Sequence, residues 1–154
     1  MTEHRESLHS NLLAKDRELT LLLHTLEDEQ EILCSCQPDG ARLLDAAEAK
    51  TTLLATLKDI EQLLDNAQTG LGFPAGAGGR LSAACEADCV DVLQRVNDTT
   101  RRVYRLNEQN GHVLEQRMAV NHRLLAHMRD AQGTVTYSRS GRTAGQQSTI
   151  SSQA

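Results

Sequence analysis

The chain has 154 residues, a formal net charge of -5 and almost no aromatic residues, with one Phe, two Tyr and no Trp. This length fits one domain with a tail, and abundant leucine and alanine with few aromatics favour helical packing over a sheet or a large globular core. The basic residues are interleaved with acids, which excludes the basic stripe typical of nucleic-acid-binding proteins.

The sequence also indicates a cellular compartment. No apolar run approaches the roughly 20 residues needed to cross a bilayer, and the polar start Thr2–Glu6 has no apolar signal core. We therefore expect a cytoplasmic protein that is not inserted in a membrane. The four cysteines are then expected to be reduced thiols, because disulfides persist mainly in oxidising compartments.

The first predicted helix spans residues 3–36. Its leucines recur every seven residues, at Leu12, Leu19, Leu26 and Leu33. This spacing is typical of an apolar seam, and the acids between the leucines, such as Glu29, are interpreted as a solvated outer face. Pro38 ends the helix, because proline lacks an amide hydrogen and disfavours helix in the preceding residue. The second predicted helix spans 41–66, and so short a link predicts an antiparallel hairpin.

Residues 67–81 are rich in glycine and lack the lysine of a phosphate-binding loop, so they predict a flexible connector.

The third predicted helix spans 82–131. Its seam residues alternate in spacing between four and three, the repeat of coiled-coil-like packing: Cys89, Leu93, Val96, Val103, Leu114, Leu124 and Met128. At about 1.5 Å per residue this helix is expected to be roughly 75 Å long, longer than the other two.

The same register also includes Thr100, Asn107, Asn110, Arg117 and Asn121, so amides interrupt the seam. A buried amide is costly unless it is hydrogen-bonded, and its best-attested use in helical seams is to fix register and partner choice. Gly111 is about 1 kcal/mol worse than alanine inside a helix. It indicates either a place where another backbone or a bulky side chain comes close, or a tolerated defect.

The end of the third helix is expected to lack cover from the first two helices. It carries a stripe of large apolar residues, Leu114, Met118, Val120, Leu124, Leu125 and Met128. An exposed stripe with flexible methionines needs a partner.

Residues 133–154, rich in Ser, Thr, Gly and Gln, predict a disordered tail. In this tail, Tyr137 is either the anchor of a short linear motif or an incidental residue.

A family resemblance extends these predictions. The segment Arg105-Leu106-Asn107-Glu108-Gln109-Asn110-Gly111, followed by Asn121, Leu124, Leu125, Tyr137 and Gly141, resembles the FlgN-type flagellar export chaperones. The leucine-rich first half is also similar to the opening helices of that family. One departure is the missing tryptophan, which such chaperones often carry ahead of the motif. The resemblance implies that the clients are the hook-associated proteins FlgK and FlgL, and that Tyr137 docks on the cytosolic domain of the export gate protein FlhA.

The predicted fold is all-α: an antiparallel three-helix coiled-coil-like bundle over 1–132, with a long third helix, followed by the disordered tail over 133–154. The predicted client-binding residues are Asn107, Asn110, Gly111, Leu114, Met118, Asn121, Leu124, Leu125 and Met128. Among them the asparagines are assigned to register, and Tyr137 is the predicted gate contact. We expect no catalysis and no cofactor, because no recognised catalytic pattern is present and a helical rod lacks a concave cavity.

Two alternatives remain open. A structural coiled-coil protein would dimerise through the same apolar stripe and have no export client. A zinc-dependent regulator would use Cys34, Cys36, Cys85 and Cys89, although residues two apart face different directions and the spacing of zinc knuckles is missing. We interpret Cys85 and Cys89 instead as small buried hydrophobes that share one helix face.

Overall fold

The computed structural model describes residues 1–148, and the side chains of residues 1–132. In this part of the chain there are four helices and no strand: α1 (Thr2–Cys34), α2 (Gly40–Gly70), α3 (Ala77–Glu86) and α4 (Val90–Ser148). The predicted all-α class is confirmed, but with four helices instead of three. The chain divides into two compact units, Met1–His112 and Val113–Ala154.

In the first unit, α1 and α2 form an antiparallel hairpin. Lys15 pairs with Glu61, and Glu29 pairs with Lys50, so the start of α1 lies beside the end of α2. The carboxylate of Asp39 accepts hydrogen bonds from two amides in the first turn of α2. This N-cap satisfies amides that have no partner within the helix, and it fixes where α2 begins.

The apolar core of the first unit lies where α1, α2, α3 and the start of α4 meet. Its main cluster comprises Leu8, Leu12, Ile60, Leu64, Ala67, Leu71, Ala83, Ala84, Cys89, Val92 and Leu93. Each of the four leucines in the seven-residue repeat of α1 is at most 4% exposed. Because fully burying a leucine contributes roughly 1.5–3 kcal/mol, this repeat is the principal core stripe of α1.

The predicted single helix over 82–131 is wrong near its start, because α3 ends and α4 begins within it. Asp88 lies in the left-handed region, with φ of 52°. The amide of Asp88 donates to the carbonyl of Cys85 at 3.3 Å, and the amide of Cys89 donates to that of Ala84 at 2.9 Å. These are the two hydrogen bonds of a Schellman motif, which closes a helix and is usually built on glycine.

The predicted flexible connector over 67–81 is also corrected, because hydrogen bonds fix this segment and α3 already begins at Ala77. The buried carboxamide of Gln68 donates to the carbonyl oxygens of Pro74 and, at 3.3 Å, Gly76. It accepts a hydrogen bond of 2.6 Å from Nε of Arg80. One buried side chain therefore ties the end of α2 to the loop and to α3.

Arg80 also joins α3 to two carboxylates of α2. Its Nη2 lies 2.6 Å from Asp65 and 3.1 Å from Glu61. Burial alone would raise the pKa of Glu61, but the hydrogen bond and charge of Lys15, together with those of Arg80, outweigh burial and lower it. A carboxyl with a lowered pKa stabilises the fold above its unfolded pKa, and this contribution is lost as pH falls through the folded value.

The four cysteines are free thiols. Cys89 is buried, whereas Cys85 is exposed, so the prediction that both are buried on one helix face is wrong. Cys85 belongs to α3 and Cys89 follows the break at Asp88, so the helical spacing between them does not apply. Burial, followed by the charges of neighbouring carboxylates and Cys85, raises the pKa of the Cys89 thiol, which therefore stays neutral at pH 7.

Candidate functional site

The second unit carries an exposed apolar surface on α4. All residues from Met118 to Gln132 are exposed. Within residues 114–132, six large apolar side chains are between 41% and 59% exposed: Leu114, Met118, Val120, Leu124, Leu125 and Met128. We call these six residues the α4 stripe. An apolar surface of this kind is typical of a site that binds another molecule.

Four residues of the α4 stripe, together with Asn121, have the spacing of a helix-binding surface. Steps of four, three, four and three residues lead from Leu114 through Met118, Asn121 and Leu125 to Met128. Side chains at this spacing share one face and pack against a second helix. Asn121 is exposed between the apolar side chains of the α4 stripe, and its predicted role in register remains a prediction.

Asn110 lies in the first unit and is only 2% exposed. Its Nδ2 donates to the carbonyl oxygen of Leu26 at 2.8 Å and to Oε2 of Glu29 at 2.9 Å. The other carboxylate oxygen of Glu29 accepts a hydrogen bond of 2.7 Å from Nζ of Lys50. A chain of three polar side chains, buried at Asn110 and Glu29 and partly buried at Lys50, therefore connects α4, α1 and α2.

This contact sets the register of α4 against α1. With Asn110 placed there, Arg102 lies 3.8 Å from Glu27 and Arg95 lies 3.4 Å from Asp16, so this part of α4 runs in the same direction as α1. We therefore assign Asn110 to the register of α4 within the chain. Its predicted contact with a client does not fit this geometry, because the side chain is buried against α1.

Asn107 and Gly111 are exposed in the first unit. A Cβ at Gly111 would meet nothing within 4 Å, so close approach by the described part of the chain does not explain this glycine. Tyr104, which is 71% exposed, lies on the same face, three residues before Asn107 and seven before Gly111. Nothing in the sequence singles out Tyr104, because one aromatic in a polar segment gives no periodic signal.

The remaining predictions concern the tail with Tyr137, a metal site and a membrane-spanning helix. The side chain of Tyr137 lies outside the residues whose side chains are described, so its role remains a prediction. The predicted third helix ends at residue 131, whereas α4 continues to Ser148, through most of the predicted tail over 133–154. Within the described part of the chain, no group of three or more His, Cys, Asp or Glu side chains is arranged to hold a metal ion. None of the helices, over the residues described, is long and apolar enough to span a membrane.

A family model described as FlgN protein matches residues 1–145 of the chain. The chain belongs to the FlgN family. The Flagella synthesis protein FlgN of Escherichia coli (strain K12) is 28% identical to it over 121 residues, which cover 77% of this chain and 76% of that protein. No solved structure matches the chain. The resemblance based on the segment from Arg105 to Gly111 is therefore confirmed at the level of the family.

In this member of the FlgN family, the predicted site residues fall into two groups. The α4 stripe residues, Asn107, Gly111 and Asn121 are exposed, whereas Asn110 is buried. Glu29, the carboxylate that accepts from Asn110, and Lys50, which pairs with Glu29, have no signal in the sequence, because charged residues between the apolar positions of a helix are usually solvated. Only the exposed group is available to a partner without rearrangement of the first unit.

Proposed function

We propose that the chain is a cytoplasmic flagellar export chaperone that binds the terminal helices of hook-associated proteins of the FlgK and FlgL type. It keeps these helices from premature assembly and delivers them to the export gate. The match to the FlgN family and the similarity to a flagella synthesis protein support the flagellar role. The exposed α4 stripe is the observation that supports helix binding.

A client helix would lay its apolar face along the α4 stripe. An amphipathic helix presents apolar side chains at positions i, i+3, i+4 and i+7, which matches the spacing from Leu114 to Met128. Met118 and Met128 are unbranched and adapt to differently shaped partners. The contact removes apolar surface of both proteins from water, which prevents the client helix from associating with other copies of itself.

The proposed gate contact is separate from the proposed client contact. We assign it to Tyr137, on the basis of its position downstream of the family motif, with the cytosolic domain of FlhA as its partner. Because the two contacts use different segments, the chain can hold a client while it binds the gate. Two modest contacts then act together through effective concentration.

The client contact is tested by placing a charge in the α4 stripe. Leu125→Asp is expected to weaken binding of a purified FlgK or FlgL terminal segment about tenfold, because the charge is buried in the complex. Isothermal titration calorimetry measures the affinity. Ala119→Asp adds the same charge to an exposed residue outside the α4 stripe and should retain wild-type affinity. If Leu125→Asp binds the segment as tightly as the wild type, the α4 stripe is not the client site.

The gate contact is tested with Tyr137→Ala. This variant is expected to keep its affinity for the client segment and to lose about tenfold in affinity for the FlhA cytosolic domain, since a truncated aromatic anchor removes most of a small contact. Binding to the immobilised FlhA domain gives the gate affinity. Equal affinity of the wild type and the variant for FlhA refutes the assignment of Tyr137.

A structural coiled-coil dimer is the competing function, because the same α4 stripe can pair with a second copy. Sedimentation of the purified chain separates the two. A chaperone is monomeric alone and forms a complex with a client segment. A dimer that persists at every usable concentration and does not bind the segment supports the competing function.

A further inference from the structure

Asn110 is followed by a glycine, whereas the other five asparagines of the chain are not: Asn11, Asn66, Asn97, Asn107 and Asn121. Asparagine is among the thermally labile residues of proteins. It reacts most readily with its own backbone when glycine follows, because glycine has no Cβ to block the approach and adopts the required backbone angles freely. The most labile asparagine of the chain is therefore the one that fixes α4 against α1.

The reaction is an intramolecular deamidation. The backbone nitrogen of Gly111 attacks Cγ of Asn110, and the new N–Cγ bond closes a succinimide ring. The bond between Cγ and Nδ2 breaks, and the proton of the backbone N–H ends on the departing ammonia. Water then opens the ring at either carbonyl, which leaves aspartate or isoaspartate at residue 110. The only other reactant is water, so no cofactor or oxidant is required.

The backbone of the folded chain keeps the reacting atoms apart. Residues 110 and 111 lie inside α4, where the amide of Gly111 donates to the carbonyl oxygen of Asn107, as in any α-helix. The nitrogen of Gly111 is then not directed at Cγ of Asn110, and attack requires a backbone rotation that breaks this hydrogen bond. The reaction therefore waits until this turn of α4 opens.

The side chain of Asn110 is also held in place. Its Nδ2 donates to the carbonyl oxygen of Leu26 and to Glu29, at 2.8 and 2.9 Å, and the residue is 2% exposed. Its Oδ1 is buried with no hydrogen-bond partner among the described residues. The negative charge that develops on this oxygen during the attack would have no donor to stabilise it. The packed site therefore opposes the reaction by its polarity as well as its geometry.

The products cannot restore this contact. Aspartate at residue 110 has an oxygen in place of Nδ2, so it cannot donate to Leu26 and it brings a second carboxylate to Glu29. Isoaspartate routes the main chain through the side-chain carbon, which lengthens the backbone and interrupts the helical hydrogen-bond pattern. Neither product packs against α1 as asparagine does.

We propose that Asn110 and Gly111 form a covalent one-way switch: deamidation takes place when α4 detaches from α1, and it prevents α4 from packing there again. This inference does not depend on the proposed clients. It also gives Gly111 a role, because a Cβ there would meet nothing within 4 Å and glycine otherwise weakens the helix. Chains whose α4 stays packed keep the asparagine, whereas chains whose α4 has opened accumulate the products.

The rate of deamidation tests whether folding protects Asn110. Mass spectrometry of the proteolytic fragment that contains residue 110 follows the loss of the amide in the native chain, in the chain unfolded in guanidinium chloride, and in a synthetic peptide of residues 105–116. We expect the native chain to react at least about tenfold more slowly than the peptide, because only the opened fraction reacts. The unfolded chain should match the peptide. Equal rates for the native chain and the peptide, or no deamidation of the unfolded chain, overturn the proposal.

Gly111→Ala separates the reaction from the fold. Alanine fits the open space around Gly111 and favours the helix, so the variant should fold as the wild type does. Its Cβ hinders the attack, so the unfolded variant should keep the amide of Asn110 under conditions in which the wild type loses it. Asn107, which lies in the same fragment and precedes Glu108, is the internal control and should keep its amide in both chains. Comparable loss from Asn110 in the two unfolded chains contradicts the role of Gly111.

Refolding tests whether the switch is one-way. The wild type and Gly111→Ala are held in guanidinium chloride until the wild type is deamidated, and both are then returned to native buffer. We expect the deamidated wild type to unfold at a lower urea concentration than before, and the amides of α1 around Leu26 to exchange faster with solvent. Gly111→Ala should be unchanged by the same treatment. A deamidated chain with the stability and hydrogen exchange of the untreated chain overturns the proposal.

Discussion

Asn110→Asp is expected to destabilise the protein by about 3 kcal/mol. The substitution preserves the shape of the side chain but replaces Nδ2, which donates to Leu26 and Glu29 at 2.8 and 2.9 Å, with an oxygen that cannot donate. Two carboxylates then face each other in a buried position, and like charges at this distance repel strongly. Urea denaturation followed by circular dichroism measures the loss.

Two companion variants isolate the cause. Asn107→Asp makes the same charge change one turn earlier, at an exposed position, and should alter the free energy of unfolding by no more than about 0.5 kcal/mol. Asn110→Ala should cost less than Asn110→Asp, because it adds no charge and removes Oδ1, which is buried without a hydrogen-bond partner among the described residues. Equal stability of Asn110→Asp and Asn107→Asp would contradict the buried link between α4 and α1.

Gly79→Ala is the second large effect that we expect. Gly79 is buried at the start of α3, and a Cβ there would overlap the carbonyl oxygen of Pro74 and lie 2.7 Å from Nε2 of Gln68. These two groups are hydrogen-bonded to each other, so the added methyl group must displace the contact that fixes the loop. Overpacking of this kind costs about 1–3 kcal/mol, and thermal or urea unfolding measures it.

The neighbouring glycine provides the control. A Cβ at Gly78 would meet nothing within 4 Å, and replacing glycine by alanine at a compatible position stabilises a protein by about 0.4–1 kcal/mol, because it restricts the unfolded chain. Gly78→Ala is therefore expected to stabilise the protein, whereas Gly79→Ala destabilises it. If both substitutions change stability in the same direction by similar amounts, the close packing of Gly79 against the loop is wrong.

The two long helices of the first unit could be predicted from local signals. The seven-residue leucine repeat defines the buried face of α1, and the sequence around Pro38 and Asp39 combines a stop with an N-cap. These signals depend on residues close together in the chain. They also predict the hairpin, because so short a link leaves the second helix only one compact route, back along the first.

The break before α4 and the fixed loop could not be predicted in the same way. The Schellman motif uses Asp88 where glycine is usual, so the apolar spacing continues through the break without a visible stop. Gln68 and Arg80 are separated by 12 residues and gain their roles only when α2 and α3 come together. The glycine content of this loop indicates flexibility, whereas the structure uses Gly79 for close packing.

In the candidate site, too, some features can be predicted from local sequence and others depend on residues that are distant in the chain. Most of the α4 stripe follows from helical spacing alone, because Leu114, Met118, Leu125 and Met128 lie on one face of α4. The separate roles of Asn107 and Asn110 do not, since burial of an amide depends on which face of α4 meets α1. The partner carboxylate, Glu29, is 81 residues away in the sequence, and no local pattern connects the two.

Hydrogen exchange measured with and without a bound FlgK or FlgL terminal segment tests the role of the α4 stripe most directly. We expect backbone amides of residues 113–132 to exchange more slowly in the complex, because the client helix covers this part of α4 and suppresses its opening. The buried amides of α1 should exchange at the same rate in both states. A complex in which protection increases only within residues 1–112, with no change over 113–132, would contradict the proposed binding site.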